Sequence, residues 1–355
     1  MLLVLLIFVI DKIALIPLVN ENGQPPTTPL NNIRKVFLLS SDLYTEKTKN
    51  LQHKKPYVAI LGSSRSEMFK YMSQKDIDNN QYLSSEQKQQ LGSYYFETRT
   101  IIRAGDFFIN YYILDVISKM KQPPAIVILE ISPEMYNRNS PFNMDRYVYE
   151  NILDYAFTLH LASRMKNEIA SELILRSLFP SYNYKISPAK FFKNTFSKNE
   201  DMSDLVQMAM LQNDNMNSLN PNHVDFEENS IPDAIYQERF LDYNQLLYTQ
   251  GVLLDYQYNE NEALLLQEII NKLTSLGVRV IGWVPKVHPV LFAEWKKMQY
   301  ETILAPSLKY LQEHKIPVYR GDLQNQKCSR YTDSSHMSSR CSPYMMANIL
   351  EHTTQ

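Results

Sequence analysis

Three short apolar runs constrain this chain more than anything else in it: YVAIL (57–61), AIVILEI (125–131) and VRVIGWV (278–284). Each stops at a turn-forming residue, Gly62, Ser132-Pro133 and Pro285 respectively. Runs of this length without polar alternation read as strands buried on both faces. Two more β-rich runs, Tyr94–Ile102 and Ile316–Tyr319, bring the total to five. Amphipathic stretches lie between them. ENEALLLQEIINKLTSLG (260–277) is the longest, with Gly277 at a C-cap position; Pro289–His314 reads as one helix, and a last helix starts near Ser342. Buried strands alternating with helices predict an α/β fold: a three-layer αβα sandwich around a central parallel sheet of about five strands.

The N-terminus departs from that rhythm. Leu2–Ile10 and Ile13–Val19 are apolar runs split only by Asp11 and Lys12, and together they reach the roughly 20 residues that span a bilayer. They read as a transmembrane anchor over 1–20, with a buried core helix as the alternative. No basic n-region or small-x-small site marks a cleaved signal peptide. Residues 21–50, which include ENGQPPTTP, read as linker and entry segment, and 51–355 as the main domain. Within it, 147–257 reads as a helical and loop insertion, since a helical pattern to Leu178 gives way to polar, Asn- and Met-rich sequence. A formal net charge of −2 over 355 residues offers nothing to a polyanion, which excludes nucleic acid as a general partner.

The two cysteines, Cys328 and Cys341, bracket SRYTDSSHMSSR near the C-terminus. Outside the cytosol they would close a disulfide; inside it they would be two free thiols. With no CxxC pair and no clustered histidines, no metal or other cofactor is implied.

In parallel α/β sheets, ligands sit beyond the carboxyl ends of the strands. After the first strand stands Gly62-Ser63-Ser64-Arg65-Ser66. Ser64 has two readings there: the N-cap of an S-x-x-E capping box with Glu67, or a nucleophile. The second needs a base, and Asp333-Ser-Ser-His336 offers one, a carboxylate orienting an imidazole that takes a serine proton. The plain alternative makes Asp333 a turn residue and His336 a surface cap.

These blocks in this order (Gly62-Ser63-Ser64, Gly105 after the second strand, and D-x-x-H from Asp333 to His336 before the last helix) resemble the SGNH (GDSL-like) hydrolase superfamily, over most of the chain beyond the apolar N-terminus. The G-S-S variant behind an N-terminal anchor is similar to exported D-alanyl-transfer and alginate O-acetylation proteins. GSSRS, LEISPEM, PK-x-HP and the Cys-bracketed D-x-x-H also resemble a Leptospira family of membrane-anchored exported proteins. The resemblance implies a flavodoxin-like SGNH fold with Ser64 as nucleophile, His336 as general base, Asp333 as its orienting partner, and the N–H groups of Ser64 and Gly105 as oxyanion donors. One block departs from the pattern. Where the superfamily places G-x-N-D, this chain has Glu130-Ile131-Ser132-Pro133-Glu134, so the usual asparagine donor is missing; Asn137 or Asn139 could replace it, or serve as loop residues.

Arg65 could bind an anionic substrate group or be an exposed helix-start residue. Trp283, Lys286 and His288 after the fourth strand could form a polymer-binding platform, or be core and turn residues. The expectation is an exported esterase or O-acyltransferase working through an acyl-serine on an envelope polysaccharide or lipid. It would sit in the periplasm or extracytoplasmic space, tethered to the membrane by its N-terminal helix and served by a membrane-bound acyl donor. The alternative is a catalytically silent scaffold that binds.

Overall fold

The computed structural model describes residues 54–69, 72–98, 110–111, 114, 117–118, 120–139, 162–164, 170–171, 174–175, 224–245, 253 and 255–352. The chain divides into two compact units, Met1–Glu46 with Met144–Gln207, and Lys47–Asn143 with Met208–Gln355. Only scattered positions of the first are described, so the architecture below is that of the second. The apolar stretch 1–19, the linker after it and Gly105 fall outside the described residues. Among the described residues no helix is long and apolar enough to cross a membrane.

Strand β1 (Tyr57–Leu61) leads through Gly62 and Ser63 into a 3₁₀ helix, Ser64–Phe69. Helices α1 (Gln74–Asn79) and α2 (Ser85–Gly92) follow, capped by Ser73 and Ser84, and then β2 (Tyr95–Thr98). Beyond β3 (Ile126–Glu130) lies a 3₁₀ turn, Pro133–Tyr136. The chain returns with β4 (Phe226–Glu227), a helical turn Asp233–Ile235 and a π-helical stretch Tyr236–Asp242. Helix α3 (Glu260–Ser275) precedes β5 (Arg279–Val284), and Gly277 between them takes a left-handed φ of 72° that a side chain would oppose. Then come α4 (Pro289–Lys297), α5 (Tyr300–Glu313), β6 (Val318–Arg320), β7 (Arg330–Tyr331) and α6 (Ser342–Glu351).

Strands β2-β1-β3-β5-β6 form one sheet in that order, every pairing parallel. A parallel α/β architecture is therefore present, as the apolar runs predict. The order reverses between β1 and β3, since β2 lies outside β1 while the later strands add beyond β3. That reversal opens a crevice at the carboxyl ends of β1 and β3.

Alternation along the strands divides the core. Val58, Ile60, Ile126, Ile128, Ile281 and Trp283 face one side, where they pack with Phe69, Tyr331 and the α6 residues Met345, Met346 and Ile349. On the other face Gly282 leaves room for Val318, Ile131 and Leu311, which lie within 3.4 Å of where its Cβ would stand. Full burial of each aliphatic side chain contributes about 1.5–3 kcal/mol, so β1 and β3, buried along their whole length, hold the sheet centre.

Two expectations need correction. The helix from Pro289 to His314 is two helices, because Gln299 adopts a left-handed φ of 56° and turns the chain so that Trp295 and Tyr300 are both buried. Nor does Ser64 cap a helix through its hydroxyl, which is engaged elsewhere.

Candidate active site

The turn after β1 carries Ser64, and a loop 272 residues later in the chain reaches it: Ser64 Oγ lies 2.8 Å from His336 Nε2. On the far side of the ring, His336 Nδ1 is 2.8 Å and 2.9 Å from the two oxygens of Asp333. A carboxylate can only accept, so Nδ1 carries the ring proton there and Nε2 presents its lone pair to the serine hydroxyl. Asp333 Oδ1 also accepts the N–H of Ser335 at 2.7 Å and of His336 at 3.0 Å. The aspartate thereby folds its own loop into a turn and aims the histidine.

The loop is braced from several directions. Tyr331 pairs with Phe226 and Arg330 with Glu227 in an antiparallel β4–β7 ladder. Thr332 N–H donates to His336 O at 3.0 Å, and Tyr331 bridges Met337. A Cys328–Cys341 disulfide closes the loop at its base. Asp225 is a buried hub that accepts from Arg330 Nη2 at 2.9 Å and from Ser338 Oγ, and lies 3.4 Å from Arg340 Nη1. Burial alone would raise its pKa, but hydrogen bonds from Arg330 and Ser338, with the charges of Arg330 and Arg340, outweigh that and hold it below the ordinary value.

Under the turn that carries Ser64 lies a charge network whose role was not legible in the sequence. Glu130, wholly buried at the end of β3, accepts from Ser63 N–H at 2.7 Å and from Ser63 Oγ–H at 2.6 Å. Arg65 Nη1 is 3.5 Å from Glu130 and the same guanidinium donates to both oxygens of Glu134, at 2.7 and 3.3 Å. Trp295 Nε1–H also donates to Glu134, at 2.8 Å, and its ring lies under the guanidinium, 5.4 Å from Cζ. Burial would lower the Arg65 pKa, yet Glu134 and Glu130 raise it overall. The signal available was a charged residue closing an apolar strand, with a second acid four residues on.

The other candidates lie outside the Ser64–His336–Asp333 group. Arg65 is buried in the network just described, with its charge spent on two carboxylates. Trp283 is a core residue, edge-on to Phe69 at 5.3 Å. Asn137 is buried, and its Oδ1 accepts from the backbone of Asn139 and Gln257, which clasps a loop; Asn139 Nδ2 donates to Asp255 O. Lys286 Nζ donates to Gln324 O, and the residue lines a cleft of about 360 Å³ with Glu228, Lys327 and Arg330 whose wall includes neither Ser64 nor His336. Burial lowers the Lys286 pKa, partly countered by Glu228.

His288 borders the triad without joining it. Its backbone N–H donates to Ser334 O at 3.0 Å, and its Nδ1 accepts from Val290 N–H, capping α4. The ring is buried against Phe240, Tyr331 and Tyr236, with centroids 4.6, 5.1 and 6.0 Å away. Desolvation pushes its pKa down to about 4, opposed by the charge of Asp333, so the ring is neutral at pH 7. Among the described residues no group of three or more His, Cys, Asp or Glu could hold a metal ion.

A family model described as "Protein of unknown function (DUF1574)" matches residues 1–353, and the chain belongs to that family. No curated protein matches it.

Proposed function

We propose that this chain is an SGNH-type esterase or O-acyltransferase that works through an acyl-serine on Ser64. The observation that carries the reading is the Ser64–His336–Asp333 arrangement, with 2.8 Å on each side of the imidazole. The strand order β2-β1-β3-β5-β6 supports it, being the flavodoxin-like order with the serine at the crevice where the order reverses.

In the reaction, His336 Nε2 takes the Ser64 proton as Oγ attacks an ester carbonyl. The carbonyl oxygen becomes an oxyanion facing the Ser64 N–H, with the Gly105 N–H as the second donor by resemblance; one such donor is worth about 3 kcal/mol. The imidazolium, held by Asp333, returns the proton to the departing alkoxide. Water or an acceptor hydroxyl then gives its proton to His336 and attacks the acyl carbon; as the acyl–Oγ bond breaks, His336 passes that proton to Ser64 Oγ and restores the free serine.

The substrate class is an O-acyl ester on an envelope glycan or lipid. A disulfide beside the site fits an oxidising compartment outside the cytosol, and the apolar stretch 1–20 would tether the protein there, near a membrane-bound acyl donor. The second reading, a silent binding scaffold, draws on the missing asparagine donor of that block, where this chain has Glu130-Ile131-Ser132-Pro133-Glu134.

A fluorophosphonate probe decides between the two readings. Stoichiometric labelling of Ser64 in folded protein, abolished in Ser64→Ala and His336→Ala, is the expected result. Absence of labelling, together with ester turnover unchanged in Ser64→Ala, would overturn the enzyme reading.

A further inference from the structure

We infer that Glu130 is a positioning residue for the nucleophile, clamping both hydrogen-bond donors of Ser63 so that the next residue's hydroxyl and N–H face the reacting carbonyl. The consequence for rate rests on the acyl-serine reading; the geometric claim does not.

The β1–β3 ladder ends at the pair Leu61–Leu129. Two residues beyond Leu61 and one beyond Leu129, the chain continues the pairing with a side chain: Ser63 N–H goes to Glu130 Oε2 and Ser63 Oγ–H to Oε1. Glu130 is itself fixed from the other side, opposite Trp283 in the β3–β5 ladder. One carboxylate thus holds the backbone and the χ1 of the residue directly before the nucleophile.

The clamp also sorts the N–H groups of the turn. That of Ser63 goes to Glu130, that of Arg65 to Ser63 Oγ at 3.2 Å, and that of Ser66 to Ser63 O at 3.0 Å. The Ser64 N–H, at the first residue of its helix and without an intrahelical acceptor, is left to meet an oxyanion. Gly62 completes the fit, since a Cβ there would stand 2.4 Å from Glu130 Oε2.

Burying a carboxylate is costly, and Arg65 is shared between Glu130 and Glu134. A neutral amide could accept the Ser63 N–H without that cost. What the carboxylate adds is simultaneous acceptance from both Ser63 donors.

Glu130→Gln keeps one acceptor and loses the two-oxygen clamp, while Ser63→Ala removes only the side-chain arm. The first readout is the ¹⁵N resonance of His336 Nε2 in histidine-labelled protein, with Ser64→Ala giving the value for a lost Ser64 hydrogen bond. Both variants are expected to move the resonance from the wild-type position toward the Ser64→Ala value. Wild-type resonance in both overturns the inference, whatever the enzyme does. The second readout is saturable fluorophosphonate labelling, where the maximal rate should fall roughly tenfold to a hundredfold, as for a nucleophile misplaced by an ångström or less, with the half-saturating probe concentration unchanged. Lack of labelling in the wild type sinks the acyl-serine reading and leaves the resonance test standing. Wild-type labelling rates in both variants sink the positioning role alone.

Discussion

Replacing both half-cystines, Cys328→Ala with Cys341→Ala, cuts the covalent tie across the loop that carries Asp333 and His336. A sequence separation of 13 gives about 3 kcal/mol of lost stability in the chain-entropy treatment, acting through the unfolded chain. For a domain of roughly 150–250 residues each kcal/mol moves the melting temperature by about 2–4 °C, so the double variant should melt about 6–12 °C lower. The folded site should barely change. The loop keeps the β4–β7 ladder, the Asp225 hub, the Thr332–His336 bond and the self-built Asp333 turn, none of which needs the sulfurs. Differential scanning calorimetry paired with fluorophosphonate labelling at 25 °C separates the two quantities, and labelling should stay within about threefold of wild type by this reasoning. A melting temperature unchanged while labelling collapses would refute it, because the bridge would then be setting geometry instead of restricting the unfolded chain.

Gly62→Ala should be among the most damaging single methyl additions, since the new Cβ would meet Glu130 Oε2 at 2.4 Å and Glu130 Cβ at 2.7 Å; a loss of about 3 kcal/mol in urea unfolding is expected. Acid should loosen the site region in two stages. His288 is neutral in the fold down to about pH 4, whereas the unfolded chain takes up its proton near 6.5, so stability falls as pH drops between those values. Asp225, whose folded pKa is depressed, contributes stability that is complete above the unfolded value of about 3.9 and lost as pH falls through the lower folded one. Urea midpoints from pH 7 to 3 should therefore decline throughout. Asp225→Asn should cost about 3 kcal/mol at pH 7 and flatten the lowest part of that curve.

What the sequence made legible follows from the range of each interaction. The strands could be read because burial on both faces leaves continuous apolar runs, and Gly277 because a helix end needs its left-handed φ. Ser64 and the Asp333–His336 pair were legible as candidates through the order of their blocks along the chain, since Ser64 alone passes for a helix cap and the Asp333–His336 pair alone for turn and cap residues. The commitment of Arg65 was not, because its partners Glu130 and Glu134 come from another strand end more than sixty residues on. The break at Gln299 carried no glycine or proline to announce it. Trp283 and His288 looked like binding groups because aromatic and imidazole side chains serve the core and a surface equally well, and only packing against Phe69 and Phe240 distinguishes those uses.

The 272-residue interval between Ser64 and His336 also has a meaning in time. A contact of such range forms late, after its loop-closure cost has been met by other parts of the fold. During synthesis the serine emerges first and stays an ordinary alcohol while the intervening chain follows it out. Its environment becomes complete only when β7 has paired with β4 and the segment bounded by Cys341 has closed. Reactivity at Ser64 would then be a readout of finished assembly, and labelling of nascent or refolding chains would time the last event in folding.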